Sequence, residues 1–210
     1  MRILTMAVAL VATLSGCGAD PLRNVYVLGD APPSRPADIP QLGKPLVEVK
    51  PTLLPDYLDT TDIVIRGRDR QLIASTTGRW GERLSIGVTH AVDLALAAKL
   101  PQFAVTDYPT DSTAWRQILI DIVAFETLAD GNCVLDARWA IRSGRTGDPI
   151  DEQRAVFVTQ VTAPGDVPIV AAMSRNVDML AARIAEELQA RPAGEAADGR
   201  SRTRSRGQRS

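Results

Sequence analysis

Cysteine and histidine are scarce in this chain, and their scarcity excludes several chemistries at once. There are two cysteines, Cys17 and Cys133, and one histidine, His90. With Cys17 assigned to a lipid, as argued below, Cys133 has no partner for an intramolecular disulfide. A cysteine-type metal centre is excluded for the same reason. A lone histidine makes neither a metal site nor a His-based triad without convergent partners. No cofactor and no metal are therefore expected. Aromatic residues make up only 4% of the chain, so its core must be mostly aliphatic. The sequence also lacks a Gly-x-Ser-x-Gly elbow, a phosphate-cradling glycine loop and a His-Glu-x-x-His pair. Alone these absences weigh little; joined to the resemblance described below, they argue against an enzyme.

The N-terminus is rich in what the rest lacks. Arg2 is followed by an apolar run from Ile3 to Leu14, interrupted only by Thr5 and Thr13. That run is shorter than the roughly 20 residues a spanning helix needs, and it has the length of a signal-peptide core. Leu14-Ser15-Gly16-Cys17 follows. This stretch resembles the lipobox of bacterial lipoproteins, in which small residues precede a cysteine that is diacylated and becomes the new N-terminus. Lipidation at Cys17 is thus expected, with residues 1–16 as signal peptide and 17–23 as a lipidated tether. Anchoring takes at least two acyl chains, which a lipoprotein cysteine supplies. Gly18 follows the cysteine where inner-membrane lipoproteins tend to carry Asp, so the resemblance implies the periplasmic face of the outer membrane.

The formal net charge of −1 hides an asymmetry. Residues 191–210 carry six arginines against Glu195 and Asp198, whereas residues 18–190 hold 17 basic and 23 acidic residues. The tail has too few apolar groups to offset chain entropy and is expected to be disordered. It admits two readings, a solvated extension or a contact for anionic lipid head groups at about 1 kcal/mol per residue.

Residues 24–190 form one domain of ordinary size. Asn24 to Leu28 predicts a first strand, and Gly29 to Lys44, with four prolines, a loop. Leu46 to Leu53 predicts a second strand that ends near Pro51. Asp62 to Arg66 and Gln71 to Ala74 read as a hairpin with Arg68-Asp69-Arg70 at its tip. Glu82 to Leu100 predicts a helix buried through Leu84, Val88, Ala91, Val92 and Ala95 and ended by Pro101. Phe103 to Asp107 is a short strand. Arg116 to Glu126 is apolar on nearly both faces and so central. Asp130-Gly131 signals a hairpin into Cys133 to Arg142, and Arg154 to Val161 returns as a third strand. In Cys133 to Arg142 the odd positions Cys133, Leu135, Ala137, Trp139 and Ile141 face in, while Asp136, Arg138 and Arg142 face out. A last helix, about Val170 to Ala190, buries Val177, Leu180, Ala181, Ile184 and Leu188. The expected fold class is α+β (mixed α/β): a largely antiparallel sheet packed by two long amphipathic helices.

Several of these pieces together resemble one family. They are Tyr26-Val27-Leu28, then Leu54-Pro55-Asp56-Tyr57-Leu58-Asp59, then Asp62-Ile63-Val64-Ile65-Arg66. Trp80-Gly81-Glu82-Arg83-Leu84 opens a helix, and an amphipathic helix closes the domain. Their order and spacing are similar to the ABC-type transport auxiliary lipoproteins, the family of paraquat-inducible protein C. The resemblance covers roughly Asn24 to Leu188, and Arg83 stands where the family usually has a proline or similar residue. It implies a role rather than a chemistry. The implied partners are the membrane, through Cys17, and an MCE-domain protein with its ABC permease and ATPase. Membrane lipid is the implied cargo. Self-association into a ring is a further expectation for so small a domain, and no nucleic-acid partner is expected.

Particular residues admit both functional and ordinary roles. Asp56, Tyr57, Asp59 and Trp80 are the candidate partner interface. The plainer account makes Pro55-Asp56 a turn, Tyr57 and Leu58 the cover of a core edge, and Trp80 an anchor of the helix start on the sheet. His90 reads as a surface residue, Cys133 as buried and inert, and Trp139 as core. Two other functions remain open at this point: an outer-membrane assembly lipoprotein for another envelope machine, such as lipopolysaccharide insertion, and an envelope hydrolase.

Overall fold

A computed structural model describes residues 23–29, 43–110 and 112–190. The signal peptide, Cys17, Gly18, most of the proline-rich loop and the arginine-rich tail lie outside the described residues. Among the described residues eight strands build one sheet: β1 (Asn24–Tyr26), β2 (Leu46–Val49), β3 (Asp62–Arg66), β4 (Leu72–Trp80), β5 (Ala104–Thr106), β6 (Arg116–Leu128), β7 (Asn132–Ser143) and β8 (Pro149–Gln160). Helix α1 (Leu84–Lys99) lies between β4 and β5, and α2 (Asp166–Ala190) follows β8.

The organising element is β6. One edge carries the β6–β7–β8 meander, with Ile120 opposite Trp139 and Trp139 opposite Gln153. Its other edge is shared. Near its start β6 pairs with β2, Val49 opposite Ile118, and toward its end with β3, Ile65 opposite Thr127. Between them a bridge joins Leu53 to Asp121. The tight turn into β7 uses Gly131 at φ +85°, a conformation costly for any residue with a Cβ.

The sheet is mixed, which corrects the expectation of a largely antiparallel one. β1–β4, β2–β5, β2–β6 and β3–β6 are parallel; β3–β4, β6–β7 and β7–β8 are antiparallel. Hairpins announce themselves through turn residues close in sequence, whereas parallel pairs join distant segments and leave no local mark. Both helices bury a stripe at helical spacing but carry exceptions to a clean division of apolar from polar residues. α1 buries Thr89 and Asp93 while leaving Ile86 43% exposed, and α2 buries Asn176 while leaving Val167 64% exposed. Of these buried polar groups, Thr89 and Asn176 are hydrogen-bonded. Thr89 Oγ1 accepts the Thr52 N–H at 2.9 Å and donates to the Ser85 carbonyl at 2.8 Å.

Both helices pack against one another and against one face of the sheet. The core between them is aliphatic as expected: Val88, Val92, Leu96, Ile118, Leu135, Leu180 and Ile184 are buried, with Phe125 and two tryptophans among them. On β7 the residues from Cys133 to Ile141 at odd positions are buried, and Arg138 is exposed on the opposite face. Among the described residues, every buried core side chain falls between Leu28 and Leu188. Element ends differ from the sequence reading. β4 runs on to Trp80, and α2 starts at Asp166 because Pro168 stands in its first turn, where a missing N–H costs nothing.

Candidate functional site

The loop from Leu54 to Asp59 crosses from the edge of β6 to the start of α1. Its backbone is fixed first. Leu53 donates to the Ile120 carbonyl and accepts from Ile122, which holds the chain along β6. The N–H groups of Leu58 and Asp59 both point to the Pro55 carbonyl, at 2.9 and 3.2 Å, closing a turn. Leu58 is then driven into the core at 1% exposure, while Asp56 and Tyr57 stand outside, Tyr57 at 41%.

Asp59 ties this loop to α1. The helix has no side-chain cap of its own at Arg83 and no acidic residue in its first turn. Asp59 supplies both functions from outside: its Oδ1 accepts the Ser85 N–H at 3.0 Å, and its Oδ2 accepts from the Arg83 guanidinium at 2.6 Å. Burial works to raise the pKa of this carboxyl, but the Ser85 hydrogen bonds and Arg83 outweigh it and hold the pKa below the ordinary value. The backbone repeats the link, with Leu84 N–H on the Thr60 carbonyl and Trp80 N–H on the Thr61 carbonyl.

Tyr57 heads a polar path inward. The Arg66 guanidinium lies 5.8 Å from the Tyr57 ring centre, and Arg66 Nε meets Glu126 Oε1 at 2.8 Å. The Glu126 side chain is only 6% exposed, and its hydrogen bond raises the Arg66 pKa. In the sequence Arg66 closes a motif and Glu126 closes a strand, with nothing to join them. A strand-end arginine and a strand-end glutamate become legible only through the parallel register of β3 on β6.

The structure thus divides the candidate interface. Asp56 and Tyr57 face solvent, Asp59 is engaged in holding the helix start, and Trp80 is 3% exposed inside the core. His90 is half-exposed, with Nδ1 3.2 Å from Glu82 and Nε2 3.4 Å from Asp107. Cys133 is fully buried, and burial pushes its thiol up to about 11. Asn176 escaped the sequence reading. It donates to the Cys133 carbonyl at 3.0 Å and accepts from Thr159 Oγ1 at 2.6 Å, joining α2 to β7 and β8. Among the described residues, no three His, Cys, Asp or Glu side chains converge as a metal site, and no helix is long and apolar enough to cross a membrane.

Residues 26–185 match the model of the family described as the ABC-type transport auxiliary lipoprotein component. The chain belongs to that family. Its members are lipoproteins auxiliary to ABC-type transport, and the family assignment places this protein with the membrane-anchored lipoproteins of the cell envelope. No curated protein sequence matches the chain. Solved structures agree on the fold. An uncharacterized protein is 20% identical with a TM-score of 0.66, covering 80% of this chain and 99% of that one. Protein XCC0632 from Xanthomonas campestris is 13% identical with a TM-score of 0.59, covering 79% and 94%.

Proposed function

We propose that this auxiliary lipoprotein is a non-enzymatic docking component of an ABC/MCE-type lipid transport system, anchored through Cys17 at the periplasmic face of the outer membrane. The family assignment over residues 26–185 carries this reading. An auxiliary subunit contributes binding, since the transporter's energy comes from a separate ATPase, and a lipid tether raises the local concentration of any partner.

The loop holding Asp56 and Tyr57 is the contact we assign to the MCE-domain protein. Tyr57 is a half-exposed aromatic backed by Arg66, and tyrosine and arginine are the residue types that dominate interface energetics. Asp59 positions that loop by pinning it to α1, while Trp80, buried in the core, is left out of the contact. The test is purification of the detergent-solubilised lipoprotein at native expression levels. Recovery of the MCE-domain protein with it supports docking; a lone monomer with no such partner contradicts it.

A further inference from the structure

The face of the sheet turned away from the helices carries a trough of about 580 Å³. It runs across β6, β7 and β8 where the chain after β2 borders them. Its volume lies in the range of about 300–1,000 Å³ typical of small-molecule sites. We infer that this trough binds a single-chain anionic amphiphile, with a carboxylate or phosphate head at Arg142 and an acyl chain laid over Ala140, Leu119 and Leu53.

The two ends of the trough differ in charge balance. At one end Arg154 forks onto Asp136 through bonds of 2.9 and 2.6 Å, and Arg138 stands directly opposite Asp121 in the β6–β7 register. At the other end Arg142 lies opposite Gln117, and Lys50 is tied to Glu48 at 2.5 Å. Arg142 has no ion pair within 4 Å among the described residues, and its Nε is buried with no acceptor. An anion at this end would give the Arg142 guanidinium the charged acceptor that no described side chain supplies. Asp121 and Glu152 line the trough and Glu48 and Asp136 border it, so its four basic residues meet four acidic ones and the trough as a whole carries no excess charge.

The floor supplies the other half of the chemistry. Leu119 pairs directly with Ala140 between the charged ends, and Leu53 is 66% exposed beside Asp121. From Arg142 to Arg138 the trough follows β7 for about 13 Å. One charged head and a narrow apolar path fit a molecule with a single chain. A protein partner would instead call for roughly 800 Å² of contact surface.

The inference adds a ligand to the docking role proposed above and rests on that role only for the ligand's source. The experiment uses the chain from Gly18 to Ser210, which keeps every core residue among the described ones and carries no lipid. Trp139 points to the helix side of the sheet and bonds Glu187 on α2, so a Leu119→Trp substitution on the trough floor supplies the reporter, and brominated acyl chains seated there quench its fluorescence. Brominated stearate and a brominated, phosphate-headed lysolipid are titrated against brominated stearyl alcohol. Saturable quenching by an anionic probe is expected, weakened about ten-fold by Arg142→Gln through loss of a charge-assisted bond. The tighter of the two anionic probes identifies the source. Leu53→Asp, at an exposed position, abolishes quenching if Arg142→Gln fails to fold. Equal quenching by the alcohol, or titrations unchanged in both variants, overturns the proposal. No partner protein is present, so this outcome and the docking outcome are separable.

Discussion

Asp59 Oδ1 accepts the backbone N–H of Ser85 at 3.0 Å although 26 residues separate the two. The first turn of α1 is therefore capped by a loop, and the exposed Tyr57 two residues earlier inherits the rigidity of that bond. Asp59→Ala is expected to cost about 1 kcal/mol, the usual value of a cap. The urea midpoint should fall with an unchanged slope. An unaltered midpoint would show that the bond contributes nothing.

The same carboxyl gives a pH prediction. Its pKa in the folded state is lowered, so its contribution is present above the unfolded value of about 4 and is lost as pH falls through the folded value. The stability gap between wild type and Asp59→Asn should be constant near neutrality and close in acid. Parallel unfolding curves at neutral and acid pH measure it. A gap that widens in acid would be the wrong sign.

Cys133 should be silent to alkylation. It is fully buried with its thiol at about 11, so thiolate is absent near neutral pH and reagents cannot reach it. In a chain whose Cys17 is lipidated or removed, iodoacetamide should label only after denaturation. Rapid labelling of the folded protein would contradict this placement.

Asn176 tests the junction of α2 with the meander. Its side chain is buried, and Asn176→Ala leaves the Thr159 hydroxyl without its acceptor and opens a small cavity. A loss of about 2 kcal/mol is expected from thermal or denaturant unfolding.

Much of this fold was legible in the chain itself. The Asp130-Gly131 turn, the alternation from Cys133 to Ile141 and the stripe from Val177 to Leu188 all reflect short-range periodicity, which survives in any single sequence. The parallel ladders were not legible, because Val49 meets Ile118 and Ile65 meets Thr127 through contacts that no local pattern encodes. The site divided in the same way. That the Leu54–Asp59 stretch is a loop beside the helix start followed from Pro55 and from the helix pattern. That Asp59 caps α1 was not legible, because its bond to Ser85 links distant segments, whereas the burial of Trp80 agrees with its plainer reading as an anchor of the helix start.

Anchoring is tested at Cys17 and Gly18. Cys17→Ser should abolish incorporation of labelled palmitate, because no other thiol stands at a cleavage site. Gly18→Asp should move the protein from the outer- to the inner-membrane fraction. Wild type already in the inner membrane would refute the sorting argument.

Site-specific crosslinking tests the docking role most directly. A photoreactive amino acid replaces Tyr57 on the proposed contact or, as a control, Met179 on α2, which is 39% exposed. The account predicts that Tyr57 crosslinks in cells to an MCE-domain protein while Met179 does not. Crosslinking equally from both positions, or from neither, would contradict it.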